Sequence, residues 1–343
     1  MNALLRSGFV FEYAPNALVV GLGPFAAAAS RRGDTLACYA PDFFGDEPCP
    51  WLHPASWRVT TRRELLAALG DPPAPPVAVR WSAPDADAYD QAFHTVMAAI
   101  ARGELTKAVP VILERGRASV AGAPLLHRLL TRVLEVPPAS LVYGVWDGDH
   151  GMVGASPEFL FRRLDGARID TAAIAGTAPP HGAEALLTDP KELAEHQSVV
   201  DDLIDVLARY GHVTVGVRDV LTLPHITHLR TPLSVGCDHP PDFAQVARAM
   251  HPTAALGVAP RRAGLALLRA LDRGVERGRF GAPFGIEWPD GQAACLVAIR
   301  NVQWRGHDVA LGVGGGVIAQ STLNAEWEEL RMKRDAVKDM LGL

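Results

Sequence analysis

Cysteine is scarce in this chain: Cys38, Cys49, Cys237 and Cys295 are scattered through 343 residues with no C-x-x-C spacing. That excludes a zinc ribbon or a disulfide framework and predicts free thiols in a reducing compartment. Blocks of like charge are missing too. No basic run is longer than a pair such as Arg31–Arg32, Arg62–Arg63 or Arg261–Arg262, and the formal net charge is −5. No nucleic-acid partner is expected from such a pattern. No apolar run reaches membrane-spanning length. Arg6 is followed by Phe9, Val10 and then Glu12, which does not make the apolar stretch of a secretory signal. Internal repeats and low-complexity tracts are also absent. A hydrophobic content of 48% leaves ample material for a core. The expectation is a cytoplasmic protein with no membrane partner, built as two domains or one large sandwich.

What is present is concentrated near the C-terminus. From Arg300 to Lys333 the chain reads as a strand, a turn at Gly314, Gly315 and Gly316, a short strand and a helix capped near Ser321. Glycine clusters suit sharp turns and close backbone approach to a ligand. On the helix, Glu326, Glu329 and Lys333 fall at offsets of three and four and so share one face. Two stacked carboxylates suit a hard cation, and the lysine beside them suits an anion. Alone, the pattern also fits a solvated face with an ordinary Glu–Lys pair. A second helix, Asp189 to Tyr210, repeats the device with Glu192 and Glu195. Its apolar stripe is Val199, Leu203, Val206 and Leu207, with Pro190 in the first turn. The two pairs together could share one Mg²⁺, which keeps several waters and needs few carboxylates.

Elsewhere the chain alternates strand-like runs with inserted helices. Ala17 to Val20 reads as a strand, and Gly21, Gly23 and Ala26 imitate a dinucleotide fingerprint with Asp42 further on. Pro24 sits inside the supposed phosphate turn, and the pattern reads better as a strand, a turn and a short alanine-rich helix. Thr61–Leu69, Asp85–Arg102 and Ala123–Val133 read as helices, and the proline-rich Asp71–Pro76 as a linker. Thr106–Leu113 reads as a strand in which Pro110 marks an edge or a bulge. From Leu141 strands follow one another, with a hairpin signal at Asp147-Gly148. This order predicts an α+β fold with antiparallel sheets.

The runs GASPEFL from Gly154, IAGT from Ile174, DPKELAEH from Asp189, HLRT from His228, HPTAALGVAP from His251, VAIR from Val297, GVGGGV from Gly312 and NAEWEELRMK from Asn324 stand in a telling order. In that order they resemble the chorismate-utilising enzymes: anthranilate synthase large subunits, aminodeoxychorismate synthases, isochorismate synthases and salicylate synthases. The resemblance covers roughly residues 85–343. It implies two large antiparallel sheets packed as a sandwich with helices outside. Residues 1–84 would be the variable, strand-rich N-terminal part of the same domain, and 85–343 the catalytic core. It implies chorismate as substrate and Mg²⁺ as cofactor, held by Glu192, Glu195, Glu326 and Glu329. Arg300, Gly314 and Gly316 would hold the enolpyruvyl carboxylate, which a guanidinium can bond bidentately. Lys333 would sit near the ring carboxylate, and Gly176, Thr177 and Thr253 would line the ring site. His228 would lie beside the ring.

Within that family the nucleophile divides the members. Water-users carry a lysine early in the core, where ammonia-users carry glutamine, and this chain has Lys107. Such a lysine can take a proton from water only when its amine is free. Glu158 would protonate the departing C4 hydroxyl, a role that needs a carboxyl kept neutral by an apolar wall. Ala175 stands where aminodeoxychorismate synthases carry a lysine nucleophile. The resemblance thus implies an isochorismate synthase closest of all, with catalytic residues Lys107, Glu158 and His228 and no glutaminase partner. A salicylate synthase, an ammonia-dependent anthranilate or aminodeoxychorismate-type synthase and a non-catalytic chorismate-binding relative are the alternatives. Departures from the pattern are Phe280 in place of a tyrosine, Ala282 and Val258 in place of glycines, and Ala254 in place of a proline. Phe280 leaves the substrate site one hydroxyl short.

Overall fold

The structure is a computed structural model that describes residues 2–71, 76–223, 226–272 and 274–343. Residues 72–75 of the linker expected at Asp71–Pro76 lie outside the described residues. The described residues form two large antiparallel sheets, one of nine strands and one of ten, with helices on their outer faces. This is the expected α+β architecture. The nine-stranded sheet runs in the order 56–60, 17–22, 7–14, 141–147, 150–156, 301–305, 308–314, 111–118 and 79–81. The ten-stranded sheet is centred on 168–178, 159–165, 293–297 and 283–287. Residues before 85 supply strands to both sheets: Ser7–Ala14 pairs with Leu141–Asp147, and Ala37–Tyr39 with Pro283–Glu287.

Aromatic side chains fill the space between the sheets. The Phe284 ring lies 6.1 Å from Phe11 and 5.4 Å from Tyr143. Strands 283–287 and 293–297 are buried at every position, because the opposing sheet covers one face and helices the other. The helices Ala86–Ala101, Ala123–Leu134 and Leu323–Leu341 pack on the nine-stranded sheet through Tyr89, Phe93, Leu129, Leu330 and Val337. Pro190–Leu207 and Phe243–Met250 pack on the other sheet through Val199, Leu203, Phe243 and Met250. Among the described residues no helix is long and apolar enough to cross a membrane.

Three local expectations need correction. The alanine-rich segment is a strand, Ala26–Ala28, paired with Trp51–His53, so tertiary pairing overrides the helix propensity of alanine. The fingerprint glycine Gly21 sits in an antiparallel pair, and a Cβ there would come within 2.1 Å of the Phe9 ring. It makes room for an aromatic side chain and not for a phosphate. Ser321 is not the cap of the last helix. Thr322 occupies that position without a side-chain bond, while Ser321 Oγ accepts from the Ile318 N–H at 3.1 Å.

The break at Pro110 positions the site. Thr106–Leu113 is not one strand: Lys107–Ala108 and Val111–Ala118 belong to different sheets. Proline lacks the N–H that would continue the ladder. Opposite it, Gly314–Gly316 interrupts the partner strand in the same way. The two chains are last paired in the large sheet at Gly314 and Val111. They meet again in a small sheet, where Val317 faces Ala108 and Ile318 faces Lys107, with Val258–Ala259 on the other side.

Candidate active site

Lys107 has no route to solvent: its strand is paired on both sides and the residue is 0% exposed. Its Nζ donates to Glu195 Oε1 at 2.9 Å. Gly316 passes beside this pair so closely that a Cβ would lie 2.1 Å from Glu195 Oε1 and 2.7 Å from Lys107 Cε. Here a glycine is required for close approach. Glu195 stands on the Pro190–Leu207 helix, whose N-terminus is capped by Asp189 accepting from the Lys191 and Glu192 N–H groups at 2.8 and 3.0 Å. One turn earlier, Glu192 Oε2 accepts from the Thr177 N–H at 2.7 Å. That bond ties the helix to the bulged end of strand 168–178, where Gly176 has a φ of +76°. Burial, and then the neighbouring Glu195, raise the Glu192 carboxyl above its ordinary range.

The opposite wall is built on strand ends. His228 Nδ1 lies 3.0 Å from the Gly176 carbonyl oxygen and Nε2 lies 2.9 Å from Arg300 Nη2. A carbonyl only accepts and a guanidinium only donates, so Nδ1 carries the proton and Nε2 is the acceptor. Burial, reinforced by Arg300 and Lys333, pushes the imidazole down to about 3, so it is neutral. Arg300 has a left-handed φ of +56°. Burial lowers its guanidinium to about 10, against the pull of Glu158 and Glu329, and it keeps its charge at neutral pH. Glu158 follows Pro157 at the end of strand 150–156. Burial pushes its carboxyl up to about 8, although Lys107, Arg300 and Lys333 pull the other way. It is therefore a protonated acid at neutral pH.

These groups surround one narrow cleft whose cavity volume is about 80 Å³. Of the residues expected from sequence, Glu158, Gly176, Thr177, Glu195, His228, Phe280, Arg300, Gly314, Gly316 and Lys333 line it. Lys107 lies directly behind Glu195 and Gly316. Phe280 is buried, its ring pressed against Gly312, where a Cβ would come within 2.4 Å of it. Thr253 does not reach the cleft wall. Its carbonyl closes a turn by accepting from the Leu256 and Gly257 N–H groups, and Ala255 and Leu256 of the same run line the cleft instead.

Glu326 and Glu329 share the inner face of the Leu323–Leu341 helix. Lys333 Nζ reaches Glu329 Oε1 at 2.6 Å and the Gly314 carbonyl at 3.0 Å. Burial alone would raise the Glu329 carboxyl, but the lysine prevails and holds it at about 2. Glu326 is 0% exposed, and burial and then Glu329 raise it. Lys191, which the sequence reading passed over, lies 3.1 Å from Glu192 Oε1 and 3.0 Å from Glu326 Oε1 and so joins the two helices. The only signal for it was its place beside Glu192 in DPKE. Despite that ion pair, and although Ser321 and Lys191 both act on the carboxyl, neither Glu326 oxygen accepts a well-aligned hydrogen bond. Such buried carboxylate oxygens are donors fit for a hard cation. Among the described residues no three acidic, histidine or cysteine side chains stand together as a group that could by itself hold a metal ion.

The comparisons with known proteins bear on the same cleft. The isochorismate synthase EntC of Escherichia coli K12 is 27% identical over 317 residues, covering 87% of this chain and 78% of that protein. The anthranilate synthase component 1 1 of Halobacterium salinarum is 30% identical over 295 residues, 80% of this chain and 55% of that protein. The structure of MenF, the menaquinone-specific isochorismate synthase from Escherichia coli, superposes with a TM-score of 0.81 at 21% identity, over 99% of this chain and 90% of that one. The family model described as chorismate binding enzyme matches residues 45–339, which include both strand breaks and every cleft residue named above, and the chain belongs to that family.

Proposed function

We propose that this protein is a Mg²⁺-dependent isochorismate synthase that works without a glutaminase partner. The observation that carries the reading is the pairing of a buried amine with a protonated carboxyl around one cleft: Lys107 behind Glu195, and Glu158 raised to about 8. In the reaction, water oxygen bonds to C2 of chorismate, the ring double bonds shift, and the C4–O bond breaks. Lys107 takes the proton from water, which requires its ammonium, paired with Glu195 at 2.9 Å, to have first given up a proton. Glu158 gives its proton to the C4 oxygen, which leaves as water, so substrate and product have the same composition. General acid–base groups of this kind contribute about 10²–10⁴-fold each.

The remaining groups bind and orient. Arg300, fixed by His228 Nε2, presents the rest of its fork to a carboxylate. Neutral His228 offers no charge to compete with it. Lys333 adds a positive charge on the far side, held by Glu329 and Gly314. Glu192, Glu195, Glu326 and Glu329 would hold Mg²⁺, which when bound would supply positive charge to the ring carboxylate. Ala175 on the cleft wall cannot attack the ring covalently, which supports water over an enzyme-bound nucleophile.

The test is to incubate the purified protein with chorismate, with and without Mg²⁺, and to separate the products. Isochorismate formed only with Mg²⁺, without ammonium and without pyruvate release, is expected. Anthranilate or aminodeoxychorismate formed only with ammonium would overturn the proposal. Salicylate with pyruvate would make it a salicylate synthase, and chorismate bound but not consumed would make it a binding protein.

A further inference from the structure

The acid cluster holds four carboxylates, and each is already met by an ion pair or a hydrogen bond from this chain. Lys107 meets Glu195, Lys333 meets Glu329, and Lys191 meets both Glu192 and Glu326. The three lysines are not equivalent. Lys107 is sealed in its strand at 0% exposure. Lys333 is also anchored by a neutral group, the Gly314 carbonyl. Lys191 has only the two carboxylates for partners among the contacts of its ammonium, and its side chain is 23% exposed. It does not line the cleft. Its contact to Glu326 Oε1, at 3.0 Å, is an ion pair without good hydrogen-bond alignment, so a fully buried carboxylate is held only by poorly aligned partners. A flexible four-carbon stem at the rim can carry the ammonium back into water at little cost.

We propose that Lys191 is the internal counter-ion of this cluster, and that a divalent cation must displace it from between Glu192 and Glu326. Lys191 and the cation then compete for the same carboxylate oxygens, so Lys191 is a positioning residue that sets how tightly the cation binds. While the cation is away, the ammonium joins the two helices and spares the carboxylates their mutual repulsion. A +2 ion with hard-oxygen preference takes over both tasks and binds directly the oxygens the lysine meets only in poor alignment. The lysine bridge lowers the apparent affinity by the fraction of molecules in which it is closed. This rests on the cation site proposed above.

The test uses Mg²⁺ alone, titrated calorimetrically into the substrate-free full chain. Lys191→Met should bind Mg²⁺ about tenfold more tightly than the wild type, because the competing charge is gone. Lys191→Arg, which keeps the charge, should bind no more tightly than the wild type. Equal or weaker binding by Lys191→Met overturns the proposal while leaving the cation site standing. Failure of wild type and variants alike to bind Mg²⁺ overturns the cation site and the proposal together. A second measurement needs no variant: acetylation of Lys191, followed by mass spectrometry, should speed up several-fold when Mg²⁺ saturates the wild type. An unchanged rate rules out displacement, and this readout decides the matter if Lys191→Met does not fold.

Discussion

Glu158 and Glu329 are the same side chain, both buried, one lining the cleft and the other paired with the cleft residue Lys333, and their acidities lie far apart. Glu158, at a strand end, has positive charges near it but no ion pair, and burial raises it to about 8. Glu329, on a helix, has Lys333 at 2.6 Å and stays ionised. Burial alone therefore does not decide a carboxyl's charge; the balance between burial and the charges beside it does. The cleft is divided accordingly. Its strand-built wall holds a neutral acid able to give a proton, beside a neutral imidazole that fixes a charged Arg300. Its helix-built wall holds paired charges, suited to gripping ions.

Breaking either wall should have different consequences. The largest effect is expected for Lys107→Gln, which keeps a donor for Glu195 but cannot act as a base. Turnover should fall by about 10²–10⁴-fold, with chorismate and Mg²⁺ binding by calorimetry little changed. Glu158→Gln should cost a similar factor and should also alter the pH profile. The working form of Glu158 is protonated, and it is lost as pH rises through about 8. Wild-type kcat/KM should therefore decline above that pH, and the residual activity of Glu158→Gln should lack that decline. On the charged wall, Glu329→Gln should leave the fold intact, raise the Mg²⁺ concentration needed for half-maximal activity and lower turnover. An unchanged Mg²⁺ dependence would remove Glu329 from the cation site.

Gly316→Ala tests the packing between the walls. The added Cβ would meet Glu195 Oε1 at 2.1 Å, and overpacking of this kind typically destabilises by about 1–3 kcal/mol, visible as a lower midpoint in thermal denaturation. A change confined to substrate binding is expected for Phe280→Tyr. A hydroxyl that reaches the substrate carboxylate would add a hydrogen bond to a charged group, in general about 1.5–3 kcal/mol. KM for chorismate should fall, with kcat nearly unchanged.

The charged wall was largely legible in the sequence, because Glu192–Glu195 and Glu326–Glu329 are local spacings that any helix converts into one face. Lys191 was not legible. Its role depends on Glu326, more than a hundred residues away, and nothing nearby announces that contact. Pro110 gave a true but incomplete signal. It marked an irregular strand, yet only the matching break at Gly314–Gly316 shows that two chains leave one sheet together and join another. The alanine run at 26–28 misled because its conformation comes from pairing with Trp51–His53. Thr253 misled in another way: its run does approach the cleft, but Ala255 and Leu256 make the contact.

Where Lys107 sits also bears on how such a protein could change its chemistry. The backbone at this position is set by a proline on one chain, glycines on the other and a partner strand on each side. None of these depends on what side chain residue 107 carries. On the proposed function, the frame would act as a socket with an interchangeable tool: one substitution there would offer a different group, while the walls assigned to grip and protonate the substrate stay in place. Engineers wishing to change the attacking molecule should start at this residue and leave the loops alone.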